Sequence, residues 1–243
     1  MSPAIQLPGQ RGPGRSRLTR DLVLRTALDL LDAEGLEALS MRRLAQALYC
    51  DPMALYRYAA NRAELLDGIT ELVLNEVAIN QHVQDWEVQL RQTAHDFRLT
   101  ALRHPHAVPL LVTRPLSTPL GLRPLGMLRP LEQILGVLIH AGFVPRDALH
   151  VYRTYYGFLY GHILNELQEL IVDPEEDEAL LRLGLYRLPP REFATLRRLA
   201  PDLVAYDGAA ELDEGLDILL SGLAQKLDAA DPHPDSGRRR VRR

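Results

Sequence analysis

Along nearly the whole chain, apolar residues recur three and four positions apart instead of alternating strictly, and Pro and Gly mark the breaks between such segments. That period is the mark of helices with one buried face, so the pattern predicts an all-α protein. The first helix starts at Thr19 as N-cap, carries Asp21 in its positive first turn and buries Leu22, Val23, Thr26, Ala27, Leu30 and Leu31; Gly35 ends it. Ser40 caps a short second helix with Met41, Leu44, Ala45 and Leu48 facing in and Arg42 and Arg43 near its start. Asp51-Pro52 starts another, an acid followed by Pro at the first helical position. Asn61-Arg62-Ala63-Glu64 opens a fourth, of capping-box type, whose stripe is Leu65, Leu66, Ile69, Leu72, Val73 and Val77. Beyond Trp86 the helices lengthen, with spans near 86–103, 119–141, 145–170, 175–184, 189–199 and 209–229; Pro109, Pro115 and Pro119 interrupt 104–119. No internal repeat appears.

Two short helices joined by a tight turn between 40 and 59 are the elements of a helix-turn-helix, whose second helix fits the roughly 12 Å wide major groove of duplex DNA. Shape alone does not decide this, because helical hairpins occur in any all-helical protein. Charge adds a second pointer. Residues 1–62 hold nine Arg against six acids, the last six residues hold five Arg and no acid, and the stretch between is strongly acidic, which yields the net −4. A basic end on an acidic body suits contact of one end with a polyanion, although solvated tails would give the same tally.

Composition excludes several classes. With 47% hydrophobic and 25% charged residues the chain is an ordinary globular protein, and its longest uncharged run, Gln133 to Pro145, is too short to cross a bilayer. Met1 to Gly14 lacks the apolar core of a secretory signal, and Cys50 is the single cysteine, so a reducing cytoplasm without a membrane partner is expected. His104 and His106 flank Pro105 without the spacing of a metal site, and no Gly-rich phosphate loop or nucleophile elbow is present. The chain therefore reads as no enzyme, with no cofactor and no metal.

Ser40-Met41-Arg42-Arg43-Leu44-Ala45, Pro52-Met53-Ala54-Leu55-Tyr56-Arg57-Tyr58 and Asn61-Arg62-Ala63-Glu64-Leu65-Leu66 stand in one register from Leu18 to about Val77, and this stretch closely resembles the tetracycline-repressor (TetR) family of bacterial transcription regulators. The body resembles that family's ligand-binding domain more weakly, through Trp86, Phe97-Arg98, Thr113-Arg114-Pro115, Ala141-Gly142-Phe143 and Gly215 to Leu223. The resemblance implies an all-helical homodimer whose N-terminal domains read a palindromic double-stranded DNA operator and whose C-terminal domains bind a small effector that releases the DNA. It lays the chain out as a basic arm over 1–18, a helix-turn-helix domain over 19–66 with helix four running on to about 80, a ligand-binding and dimerisation domain over 81–229 and an Arg-rich tail over 230–243. Two departures stand out. Tyr49 occupies the turn position where the family usually has Gly, and the metal-binding His of the tetracycline repressor itself falls at Leu110-Leu111 while the end of helix four offers Ala78 rather than His, which argues against a tetracycline-magnesium ligand.

Matched to the family, Tyr56 and Arg57 face DNA and Leu55 the core; Pro52, Met53 and Ala54 meet base edges, with Tyr58 beside them. Thr19, Ser40, Arg42 and Arg62 are phosphate candidates at helix N-termini, although capping alone accounts equally well for Thr19 and Ser40. Arg15, Arg17 and Arg20 suit either a minor-groove arm or a non-specific one. For the ligand, Trp86, Thr93, Phe97, Thr113, Met127, Tyr152, Tyr155 and Tyr156 are the candidates, against a purely structural role for any single Tyr. Leu212, Leu216, Leu219, Leu223 and Leu227 form a stripe on the last helix expected to seal a partner subunit, with core packing as the alternative. A helical small-molecule carrier or enzyme with a vestigial DNA head competes with the repressor reading, and an activator of the same family stays open.

Overall fold

The computed structural model describes residues 18–80, 85–114, 119–171 and 184–230, and among these every regular element is helical. Most of the arm, the Arg-rich tail and all but the last residue of the helix expected over 175–184 lie outside the described residues. The chain divides into two units between Ile69 and Thr70.

In the first unit, α1 (Arg20–Glu34) begins where Thr19 Oγ1 accepts from the Leu22 N–H at 3.2 Å and ends at Gly35, whose φ of 78° suits glycine. Its buried face is Val23, Leu24, Ala27, Leu28, Leu30 and Leu31, so Leu24 and Leu28 replace the expected Leu22 and Thr26, which are half-buried. The displacement follows from α4 (Arg62–Leu74), where Gly68 leaves room for the Leu24 methyl groups. α2 (Met41–Ala47) is capped by Ser40 Oγ at 3.1 Å from the Arg43 N–H and buries Leu44 and Ala45. The Asp51 carboxylate caps α3 (Pro52–Leu55) through the Met53 N–H at 2.8 Å, and Leu55 is wholly buried. Asn61 and Glu64 cap α4 reciprocally, Asn61 Oδ1 accepting from the Glu64 N–H at 2.8 Å and Glu64 Oε2 from the Ala60 N–H at 2.7 Å.

Between α2 and α3, Tyr49 has φ of 51°, the only positive value at a non-glycine position among the described residues. The turn keeps the left-handed conformation with a tyrosine in it. That geometry costs roughly 1–2 kcal/mol, whereas glycine would surrender about 0.5–1 kcal/mol of chain entropy on folding. Tyr49→Gly is therefore expected to raise stability by about 0.5–1 kcal/mol in urea denaturation, the difference of the two.

The second unit is built on α5 (Trp86–Arg103), followed by a 3-10 turn over Pro105–Ala107, α6 (Val108–Thr113), a 3-10 turn over Leu120–Leu122, α7 (Leu125–His140), α8 (Pro145–Ile171), α9 (Ala194–Arg198), α10 (Ala200–Val204) and α11 (Gly208–Ala230). α7 starts at Leu125, six residues later than the expected span, because Pro124 forces Arg123 into extended backbone with ψ of 148°. The helix expected over 189–199 is confined to α9, and α10 follows separately, since Pro201 has no N–H to offer the Arg197 carbonyl. α5, α8 and α11 pack on one another. At their centre Tyr155, fully buried, donates its hydroxyl to the Leu90 carbonyl at 2.6 Å, and Arg98 Nε donates to both carboxylate oxygens of Glu166 at 3.0 and 2.9 Å. His95 and Arg91 join Asp213 and Asp217 across α5 and α11.

Candidate nucleic-acid interface and ligand cavity

Three large hydrophobic side chains of the first unit are exposed among its described residues: Tyr49 at 93%, Met53 at 72% and Tyr56 at 43%. All belong to the helix-turn-helix turn and its second helix. With Leu55 inward, Met53 of the four-residue α3 and Tyr56, its C-cap, face out, and Pro52 and Arg57 are exposed beside them while Ala54 is half-buried. Thr19, Ser40 and Arg42 are exposed as well. Two of the sequence candidates spend their polar groups inside the unit: Tyr58, half-buried, donates its hydroxyl to the Leu18 carbonyl at 2.7 Å, and Arg62 donates to the Leu39 and Leu36 carbonyls at 3.2 and 2.9 Å. Arg43 is committed to Glu34 and holds that carboxyl below the usual carboxylate range through the hydrogen bond between them. Over residues 18–62 Arg and acids balance six to six, so the surplus charge of this end rests on Arg11, Arg15 and Arg17, outside the described residues.

In the second unit a cavity of about 330 Å³ opens among α6, α7 and α8. Met127, Tyr152 and Tyr156 line it, together with Leu74, Leu111, Val112, Arg123, Pro130, Leu131, Arg153, Gly157 and Tyr160. Tyr152, Tyr156 and Tyr160 recur every four residues along one side of α8, their ring centroids 4.7 and 5.7 Å apart in succession. Burial pushes all three phenols up, so each stays a neutral hydrogen-bond donor near neutral pH.

Five other candidates lie away from the lining. Trp86 packs edge-on to Phe143 at 5.2 Å, Phe97 backs Tyr160 at 5.6 Å, and Thr93 accepts from Gln89 at 2.9 Å. Thr113 donates to the Pro109 carbonyl at 2.7 Å, and Tyr155 is the core residue bound to Leu90. One residue of phase separates Tyr155 from Tyr156, about 100° around the helix, and that decides between core and cavity. Arg123 and Arg153 escaped the sequence reading, and nothing in the sequence marked them.

The leucine stripe also divides. Leu212 and Leu216 are fully buried in their own chain, so they cannot touch a partner, while Leu219, Leu223 and Leu227 are half-buried. The outward side of α11 instead carries Ile218, at 78% exposure, with Glu211, Glu214 and Gly222. A groove there also takes in Gly157, Phe158, Gly161 and His162 of α8.

A helix-turn-helix unit with apolar side chains facing outward on its reading helix, in one chain with a helical unit that encloses a cavity, defines a DNA-binding regulator that carries its own sensor. Residues 23–69 match the family model for bacterial regulatory proteins of the TetR family, and residues 80–227 match the tetracyclin repressor-like C-terminal domain. An HTH-type transcriptional regulator of Saccharopolyspora erythraea is 28% identical over 89% of each chain. The Escherichia coli tetracycline repressor protein class C is 28% identical over 86% of this chain and 91% of its own. Among solved structures, the TetR family protein ActR of Streptomyces coelicolor in complex with actinorhodin superposes with a TM-score of 0.72 at 30% identity, over 87% of this chain and 99% of ActR. The chain belongs to the TetR family: it is a transcriptional regulator that binds operator DNA and a small effector and forms homodimers. Its relatives are regulators rather than enzymes, and among the described residues no helix is long and apolar enough to cross a membrane.

Proposed function

We propose that this regulator is a repressor whose two copies insert α3 into successive major grooves of a palindromic operator and let go when an effector fills the cavity. The exposure of Tyr49, Met53 and Tyr56 on a unit whose other described large apolar side chains are buried or half-buried is the observation that carries this reading. Met53 offers an apolar contact to thymine methyl groups, Tyr56 and Arg57 flank it, and Thr19, Ser40 and Arg42 supply phosphate contacts at helix N-termini. Tyr49 joins that surface from the turn. Tyr58 and Arg62 act through the fold, by fixing Leu18 and the loop at Leu36 to Leu39. Action on operator DNA supports a cytoplasmic location.

Leu74, the last residue of α4, is part of the cavity wall, and α4 begins in the DNA-binding unit at Arg62. An occupant that displaces Leu74 thus acts on a helix shared by both units. A useful response needs the effector to favour the DNA-incompetent state by about 1–3 kcal/mol. ActR is complexed with actinorhodin, and a TetR of Acinetobacter baumannii with minocycline; a multi-ring ligand suits the tyrosine-lined cavity here. Leu110 and Leu111, buried where the tetracycline repressor has a metal ligand, speak against a drug-magnesium complex. For the dimer, the outward face formed by Gly157, Gly161 and Leu164 of α8 and Ile218 and Gly222 of α11 pairs with its own copy in a four-helix bundle.

Selection of bound sequences from random DNA tests the reading, with a palindrome expected and no enrichment contradicting it. On the selected operator, replacing Arg11, Arg15 and Arg17 by Gln should flatten the dependence of log affinity on log salt by about 0.9 for every phosphate that these side chains neutralise in the parent. An unchanged slope would assign those arginines no role at the DNA backbone.

A further inference from the structure

The cavity is apolar except for a small set of polar groups, and their signs agree. Two guanidiniums, Arg123 and Arg153, and three phenols, Tyr152, Tyr156 and Tyr160, face it, with no carboxylate, amide or lysine among the described lining residues. Arg123 is half-buried and close enough to act electrostatically on the Tyr152 and Tyr160 hydroxyls, while Arg153 is exposed at the mouth. Tyr156 is 7% exposed, lines the cavity and has no hydrogen-bond partner for its hydroxyl among the described residues. A phenol that opens onto the cavity can donate to an acceptor of a ligand held there. Arg123 carries five donors in a fixed fork, so a partner elsewhere leaves donors for the cavity.

From this arrangement, and resting on the reading of the cavity as the effector site, we infer that the effector is an aromatic acid. Its fused rings lie against the ladder of Tyr152, Tyr156 and Tyr160, its carboxylate or phenolate meets Arg123 and Arg153, and a second oxygen accepts from Tyr156. An uncharged ligand of the same shape strips water from the guanidiniums without compensating them, and a cation is repelled by them as well. Ring stacking alone would not separate the three charge types, so discrimination between them isolates the contribution of the arginines.

The test uses a naphthoate, its uncharged amide and the corresponding naphthylmethylamine cation as probes, titrated calorimetrically into the full-length dimer and then against operator-bound protein. The acid is expected to bind at least about tenfold more tightly than the amide, the ratio that a charge-assisted hydrogen bond supplies, with the cation weakest. Arg123→Gln should remove most of that preference and leave amide affinity unchanged, Arg153→Gln should do so more weakly, and Tyr156→Phe should weaken acid and amide alike. Thermal midpoints of the free variants separate these effects from misfolding. If acid and amide bind equally and both displace operator, the aromatic-acid inference falls while the effector site stands. If no probe binds, and filling the cavity by Met127→Trp also leaves operator release by a crude extract of small molecules unchanged, the inference falls together with the effector-site reading.

Discussion

An Arg98→Met chain is expected to lose about 3–5 kcal/mol of stability, because it strands a carboxylate in the core of the second unit. Glu166 is 3% exposed and receives both Nε and Nη2 of Arg98, the former at 3.0 and 2.9 Å from its two oxygens. Around it the space is already allotted. A Cβ at Gly208 would run into the carboxylate, and His162 Nε2 is directed at the Gly208 carbonyl at 3.0 Å, leaving 3.7 Å to Glu166. Rehydrating the charge would therefore displace α11. Methionine keeps most of the arginine stem and its packing, so the loss reports the orphaned carboxylate. Replacing both members, Arg98→Met with Glu166→Leu, should restore stability to within about 1–2 kcal/mol of the parent, because two buried charges and their desolvation leave together. Urea denaturation at one fixed protomer concentration measures both variants, since dimerisation makes the midpoint depend on concentration. A single variant as stable as the parent would show that the pair adds nothing net.

Local grammar made the DNA-binding unit legible. The caps Thr19, Ser40, Asp51 and Asn61 each act at the helix start the sequence marks, because a capping side chain answers to residues two or three positions away. Leu44 and Leu55 are buried for the same local reason. In the second unit the governing distances are long. Trp86, Phe97 and Tyr155 are aromatic and buried like the cavity residues, yet what distinguishes Tyr156 is only the α6 and α7 surface opposite it. Arg123 reads as a solvated charge in any window of sequence and becomes a cavity wall because Pro124 turns the chain before α7. On α11 periodicity reveals an apolar stripe without saying whose core it enters. Leu212 and Leu216 are enclosed by their own chain, and the side left outside carries one exposed large apolar residue, Ile218, among Glu211, Glu214 and Gly222, which no hydrophobic pattern would single out.

That outward face carries the other large expectation. Gly161→Leu combined with Ile218→Asp should convert the dimer to monomer and weaken operator binding on the order of 10³-fold, the interval that separates specific from non-specific complexes. Within one protomer the double variant costs almost nothing. A Cβ at Gly161 meets no atom within 4 Å, and Ile218 is 78% exposed, so neither change disturbs the chain's own core. In an exposed helix interior, exchanging glycine for leucine even favours the helix, by about 0.5–1 kcal/mol. Between two copies the same changes are severe. In the proposed interface, glycines at 157 and 161 would let the α8 helices approach closely, a leucine would hold them apart, and aspartate in place of Ile218 would bury a charge at the seam. Two reading heads that are no longer joined bind half-sites independently and lose the effective concentration that couples them. Sedimentation should therefore show a monomer with undiminished helicity, and its residual DNA binding should tolerate any spacing between half-sites. A double variant that sediments as a dimer and binds the operator as the parent does would move the interface to another surface of the body.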